Sequence, residues 1–174
     1  GREVGKAEGE TMHKSKVRTN AMRMLDRAKI PYEAVEYVHG SHDPIDGMSV
    51  AAGLGEDPAS VFKTLVTQSG NSHFVFLVPV AEELDLKRCA RAAGVKHLEM
   101  LPLKELTSVT GYVRGGCSPI GMKKKFRTFA DSSLAGREEV YVSGGQIGLQ
   151  LKMKPADLLR AAEITLADIA RQGE

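Results

Sequence analysis

The chain has 174 residues, 42% of them hydrophobic and 26% charged, which suits one core-bearing domain and is too short for two large ones. With 24 Lys and Arg against 22 Asp and Glu, its net charge is only +2, which excludes a broadly basic nucleic-acid binder and leaves room for a local, salt-sensitive contact. Two cysteines and five dispersed histidines give neither a disulfide framework nor zinc-ligand spacing, and no apolar run approaches membrane-spanning length. The expectation is a cytoplasmic protein with no membrane contact, no metal and no cofactor.

Residues 1–15 are polar and aperiodic and read as a disordered leader, with the folded domain over 16–174. Thr19 is placed to cap a helix that carries Met22, Leu25 and Ala28 on one face and ends before Pro31. Tyr32 to Val38 reads as a strand, His39 to Gly47 as a polar loop, and Ser49 as the cap of a short helix, Val50 to Leu54, closed by Gly55. Val61 to Val66 and Phe74 to Val78, separated by Ser69-Gly70-Asn71, form the strongest hairpin signal in the chain. Asp85 is expected to cap a helix over Leu86 to Ala93 that Gly94 stops, with Cys89 as a small core residue. Val95 to Leu98 reads as a short strand and Pro102 to Val109 as a helix with proline in its first turn. Phe126 to Ala130 and Val140 to Ser143 read as strands, Gly144-Gly145 as a turn into a further strand ending at Met153, and Pro155 as the start of a final helical pair. Hairpins dominate and strand-helix-strand succession is irregular, so the class is mixed α/β: one domain with a central mixed sheet, partly barrel-like, flanked by helices.

Three groups of residues stand out chemically. Lys63 lies inside an otherwise apolar strand, on the face of Val61 and Leu65, while Thr64 shares its face with Phe62 and Val66. Taken alone, such a lysine is a solvated edge residue; an ammonium on an apolar face otherwise needs an anion or a carbonyl oxygen. The second group is the loop Arg114 to Met122, in which Gly115 and Gly116 let main-chain amides approach a ligand and Pro119 stiffens the exit. It matches neither the phosphate-loop nor the dinucleotide-binding pattern, and Cys117 within it has no base nearby in sequence. The third group is Lys123, Lys124, Lys125 and Arg127, a basic patch that is either a solvated charge run or a grip for the phosphates of a nucleic-acid end.

The blocks Phe-Lys-Thr-Leu, Val-Pro-Val with Leu-Asp-Leu-Lys, Gly-Tyr-Val-Arg-Gly-Gly-Cys-Ser-Pro-Ile-Gly and Tyr-Val-Ser-Gly-Gly, taken together from about Thr19 to Arg171, closely resemble the YbaK/EbsC family of aminoacyl-tRNA deacylases, relatives of the editing insertion of bacterial prolyl-tRNA synthetases. The resemblance implies trans-editing, the hydrolytic or cyclising removal of a wrong amino acid, typically cysteine, from tRNA(Pro); in the YbaK branch the cysteine substrate's own thiol attacks the ester. It implies Lys63 as the essential lysine, Gly115 and Gly116 as main-chain donors, and a substrate pocket with Tyr37, Thr64 and Ser143, to which Ser118 and Pro119 are added from the glycine loop. The acceptor end of the tRNA would lie on Lys123, Lys124, Lys125 and Arg127, with prolyl-tRNA synthetase or another synthetase as a partner. Two positions depart from the family pattern: Asp46 stands where a pocket phenylalanine is expected and Gln150 where an aspartate is. Two rival readings follow from them, a non-catalytic module that holds an aminoacyl or nucleotide ligand, and a deacylase for another small amino acid such as alanine.

Overall fold

The computed structural model of the protein describes residues 17–38 and 46–172; the expected leader and most of the loop from His39 lie outside them. Helix α1, Asn20–Ala28, begins where Thr19 Oγ1 accepts the Met22 amide at 3.2 Å, and it presents Ala21, Met22 and Leu25 to the core. Strand β1, Glu33–Glu36, follows, and then helix α2, Gly47–Leu54. The cap of α2 is Asp46 rather than the expected Ser49: Asp46 Oδ1 accepts the Ser49 amide at 2.8 Å, so the helix starts earlier and Ser49 lies inside it.

The hairpin forms as β2, Phe62–Ser69, and β3, Ser72–Pro79, in a register that sets Lys63 opposite Val78 and Thr64 opposite Leu77. Strand alternation divides its side chains between two cores. Phe62, Val66, Val75 and Leu77 join the larger one with Leu25 and Leu151. Phe76 and Val78, with Leu65 beside them, pack on Cys89, Ala90 and Ala93 of α3, Leu86–Ala93. Between β3 and α3 lies the short β4, Glu82–Leu84.

Gly94 closes α3 with φ 76°, and the Val95 amide donates to Ala90 O. Val95 is therefore bound into the helix terminus, and the strand expected at Val95–Leu98 appears instead as β5, Glu99–Met100. The helix expected over Pro102–Val109 divides into a tight turn, Leu103–Glu105, and α4, Leu106–Thr110. Strand β6, Arg127–Asp131, pairs in parallel with β3. In the hairpin of β7, Val140–Gln146, and β8, Leu149–Met153, the paired glycines Gly144-Gly145 make a bulge inside β7, and Ile147-Gly148 makes the turn. Gly145 has φ 103° and faces the Tyr112 ring so closely that a Cβ there would lie 2.9 Å from Cε1.

Helix α5, Pro155–Ala161, is followed by two strands, β9, Ile164–Ala167, and β10, Ala170–Gln172, where a second helix was expected. Glu163 turns the chain at φ 52°, and Ile164-Thr165-Leu166 then extends the sheet along β6 while Ile169 becomes fully buried. The main sheet has the order β5-β2-β3-β6-β9, with a three-stranded sheet β1-β8-β7 and a two-stranded β10-β4 beside it. Among the described residues, one parallel bridge, from Val61 to Tyr141, joins the first two sheets. No closed barrel forms among the described residues, and the mixed α/β single-domain expectation holds.

A candidate active site on the open edge of β2

The site arises from incomplete pairing. On the side away from β3, strand β2 is covered by β5 only at Thr67 and Gln68, and by the β7 bridge only at Val61. The carbonyl of Val66 points to this outer side, where it accepts the Leu101 amide at 3.0 Å, whereas the carbonyl of Val61 points to β3 and accepts the Val80 amide at 2.9 Å. Main-chain direction alternates along a strand, so the peptide groups of Thr64 face outward with those of Val66. A cavity of about 360 Å³ occupies this gap. Because it lies along the strand's edge, residues of both faces of β2 reach it, Lys63 as well as Thr64.

Its apolar wall includes Val50, Val80, Leu101, Leu103, Leu106 and Ile147, and its polar groups are Tyr37, Asp46, Lys63, Thr64, Arg114 and Gln150, with Gly115 and Cys117 alongside. Two of these polar groups are unusual. Thr64 Oγ1 and Gln150 Oε1 are buried and have no hydrogen-bond partner among the described residues. An orphaned buried polar atom is costly, and both of these belong to residues that line the cavity, which makes Thr64 and Gln150 candidates for ligand recognition. Lys63 is partly exposed, and its Nζ lies 3.7 Å from Glu83 Oε2 of β4; such a surface pair is weak and readily exchanged for another anion or acceptor.

Asp46 is the only carboxylate among the described residues that line the cavity. The Ser49 amide, assisted by Met48 and the Arg114 guanidinium, holds its carboxyl below the usual carboxylate range against the opposing effect of burial, so it is ionised at neutral pH. Burial pushes the Cys117 thiol up to about 11 and the Cys89 thiol up to about 12. Neither is a thiolate nucleophile at neutral pH.

The structure brings together Tyr37, Asp46, Lys63, Thr64, Gly115 and Gln150 out of the residues expected in the site. Gly116 is buried beside the cavity rather than lining it: its amide closes a turn onto Val113 O at 2.9 Å, and a Cβ there would meet the main chain of Gln146 and Ile147 at 3.1 Å. Ser118 and Ser143 serve their own backbone, Ser118 Oγ accepting the Ile120 amide at 3.2 Å and Ser143 Oγ the Gly145 amide at 3.1 Å. Pro119, Lys124 and Lys125 border a separate small cavity of about 90 Å³. Within the basic patch, Lys125 donates to Ala162 O at 2.9 Å, Lys123 to Ser108 O at 3.3 Å and Arg127 to Ala93 O at 3.1 Å, with the Arg127 guanidinium 5.1 Å from the Phe129 ring centroid. Arg114 and the apolar wall were not expected. Arg114 stands inside the glycine-rich block and could have been singled out from it, but Leu101, Leu103 and Leu106 reach the cavity only because β5 docks on β2.

No group of three His, Cys, Asp or Glu among the described residues is arranged to hold a metal ion, and no described helix is long and apolar enough to cross a membrane. The fold and cavity therefore define a mixed α/β domain with a cavity at a sheet edge, lined by an apolar wall and a few polar groups, in which the one cysteine of the described lining is protonated at neutral pH. The chain belongs to the aminoacyl-tRNA editing domain family, which matches residues 42–161.

A protein of Enterococcus faecalis provisionally named Cys-tRNA(Pro)/Cys-tRNA(Cys) deacylase EbsC is 42% identical over 157 residues, which cover 90% of this chain and 95% of that one. A proline–tRNA ligase of Brachyspira hyodysenteriae is 31% identical over 80 residues, 45% of this chain and 14% of that enzyme. Among solved structures, one provisionally described as a trans-editing enzyme for prolyl-tRNA synthetase superposes with a TM-score of 0.76 at 23% identity, covering 90% of this chain and 99% of that one. At that identity the likeness concerns the fold.

Proposed function

We propose that this protein is a trans-editing deacylase that removes a wrongly attached amino acid, cysteine foremost, from tRNA(Pro). The observation that carries the reading is that two residues lining the cavity beside Lys63, Thr64 and Gln150, each hold a buried polar atom, Oγ1 and Oε1, with no hydrogen-bond partner among the described residues. The 42% identical relative named for Cys-tRNA(Pro) and Cys-tRNA(Cys) supports the choice of cysteine.

An aminoacyl ester is already activated, so its cleavage needs placement and stabilisation of the charge that develops on the carbonyl oxygen. Lys63, released from its weak pair with Glu83, anchors and polarises the ester or the adjoining terminal nucleotide, and the main chain at Gly115 faces the carbonyl side. Thr64 and Gln150 fix the aminoacyl group by hydrogen bonds. Both protein thiols being protonated, the nucleophile comes from water or from the substrate: a cysteinyl thiol attacks the carbonyl carbon, the ester C–O bond breaks, and the ribose oxygen leaves with a proton. The exposed Lys124, with Lys123, Lys125 and Arg127, lies toward the acceptor-stem phosphates. A synthetase that holds the same tRNA raises the local substrate concentration, which compensates for the chain's low net charge. The reaction belongs in the cytoplasm, where tRNA is charged.

Lys63→Ala tests this. Its loss removes one weak surface ion pair, so the melting temperature is expected to stay within a few degrees. Deacylation of Cys-tRNA(Pro) should fall by about 100-fold or more, the scale of removing one charge-stabilising group from an active site. Turnover at the wild-type rate would refute the assignment, and saturable binding without turnover by the wild-type protein would favour a non-catalytic module. Turnover of alanyl-tRNA, which has no thiol, would exclude obligatory thiol attack.

A further inference from the structure

The charge pattern of the cavity assigns a role to Asp46 that rests on the deacylase reading and goes beyond it. An aminoacylated tRNA end carries two kinds of charge, an anionic phosphodiester and the cationic α-ammonium of the amino acid. Opposite them, the described lining offers the cations Lys63 and Arg114 and the single anion Asp46. Gln150 and Thr64 are uncharged, and Glu83, the partner of Lys63, is not part of the lining. An ammonium taken into a largely apolar cavity needs a counter-ion or several strong acceptors, and Asp46 is the one group of the described lining that supplies a full negative charge.

We propose that the Asp46 carboxylate is the counter-ion for the substrate's α-ammonium group, so that this pocket distinguishes an aminoacyl ester from an uncharged acyl ester. Asp46 is also held in place for the task. Asp46 is exposed at the rim of the cavity and caps α2 through Oδ1, which accepts the Ser49 amide at 2.8 Å and restrains the side chain. The helix end opposes an incoming cation with about half an elementary charge, less than the full charge of the carboxylate, so the net attraction survives. Arg114 is exposed and close enough to act electrostatically on Asp46; when the ammonium arrives, Arg114 turns to the phosphate, and both charges of the substrate meet an opposite one. Gln150, which also lines the cavity, is neutral, and its Oε1 is left to accept a hydrogen bond.

Asp46→Asn isolates the charge, because asparagine is as good a helix cap as aspartate and nearly the same shape. The assay compares tRNA(Pro) charged with cysteine and tRNA(Pro) charged with the α-hydroxy analogue of cysteine, which keeps size and thiol but has no ammonium. Wild-type protein is expected to cleave the cysteinyl ester about 10- to 100-fold more efficiently in kcat/KM, the range of one hydrogen bond to a charged group. In Asp46→Asn that preference should collapse to within about threefold, through a lower rate on the cysteinyl ester and an unchanged rate on the hydroxy ester. A variant that keeps the wild-type preference, or that loses both rates equally, overturns the assignment of Asp46 while leaving the deacylase intact. A wild-type protein that cleaves neither ester overturns the deacylase reading and this inference with it.

Discussion

Replacing Thr64 by valine should move stability and activity in opposite directions. The two side chains have the same shape, and valine suits a strand at least as well as threonine, so the substitution removes little more than a hydroxyl. In the unliganded protein Thr64 Oγ1 is buried with no partner among the described residues. A buried hydroxyl without a hydrogen bond costs about 1–3 kcal/mol in protein mutational data. At the lower end of that range, a gain of about 1 kcal/mol is expected, equivalent to a rise of about 2–4 °C in melting temperature for a domain of this size. With substrate bound, the same hydroxyl gains its partner, and losing a neutral hydrogen bond of about 0.5–1.5 kcal/mol should lower kcat/KM by about 2- to 12-fold. Thermal unfolding by circular dichroism and deacylation of Cys-tRNA(Pro) read the two effects on the same preparation. A Thr64→Val protein that melts lower than wild type while turning over normally would refute the reasoning, since the hydroxyl would then be serving the fold and not the ligand.

Two further outcomes follow from other buried groups. Asp131 accepts amides from Ser133 at 3.1 Å, Ile169 at 3.2 Å and Ala170 at 3.1 Å, and although burial pushes its pKa up, these bonds together hold it below the usual carboxylate value. Its stabilisation is therefore present above the unfolded value near 3.9 and disappears as pH falls through the lower folded value; Asp131→Ala should cost about 3 kcal/mol or more at pH 7 in urea unfolding, with the difference from wild type shrinking at pH 3. Cys117 borders the cavity with its thiol raised to about 11 by burial, so iodoacetamide at pH 7.5 should label it far more slowly than a free thiol of ordinary pKa, and still more slowly with aminoacyl-tRNA bound; fast labelling measured by mass spectrometry would contradict the packing described for that loop.

Much of this protein was legible locally. Thr19, Asp85 and Gly94 mark helix ends because a capping oxygen or a left-handed glycine acts within a few residues of itself. The β2–β3 hairpin was legible because alternation of apolar residues on either side of a short turn leaves few other ways to bury them. Where two local signals competed, tertiary context chose. Ile164-Thr165-Leu166 and Ile169 carry an apolar spacing that fits a helix, but the open edge of β6 made a strand of the first three and buried the last. Gly144-Gly145 has turn composition, yet the register of β7 with β8 turned it into a bulge.

The site divides in the same way. An isolated lysine in an apolar strand and a glycine pair in a polar loop are visible as anomalies in a linear sequence, because each is out of keeping with its immediate neighbours. Nothing local shows that Tyr37, Asp46, Arg114 and Gln150 surround Lys63, or that Ser118 and Ser143, equally polar and nearby in sequence, turn inward to hold their own backbones. Those assignments depend on which edge of β2 is left unpaired. Pairing is a competition among distant strands for the same row of peptide groups, and only the folded chain settles where that row stays open.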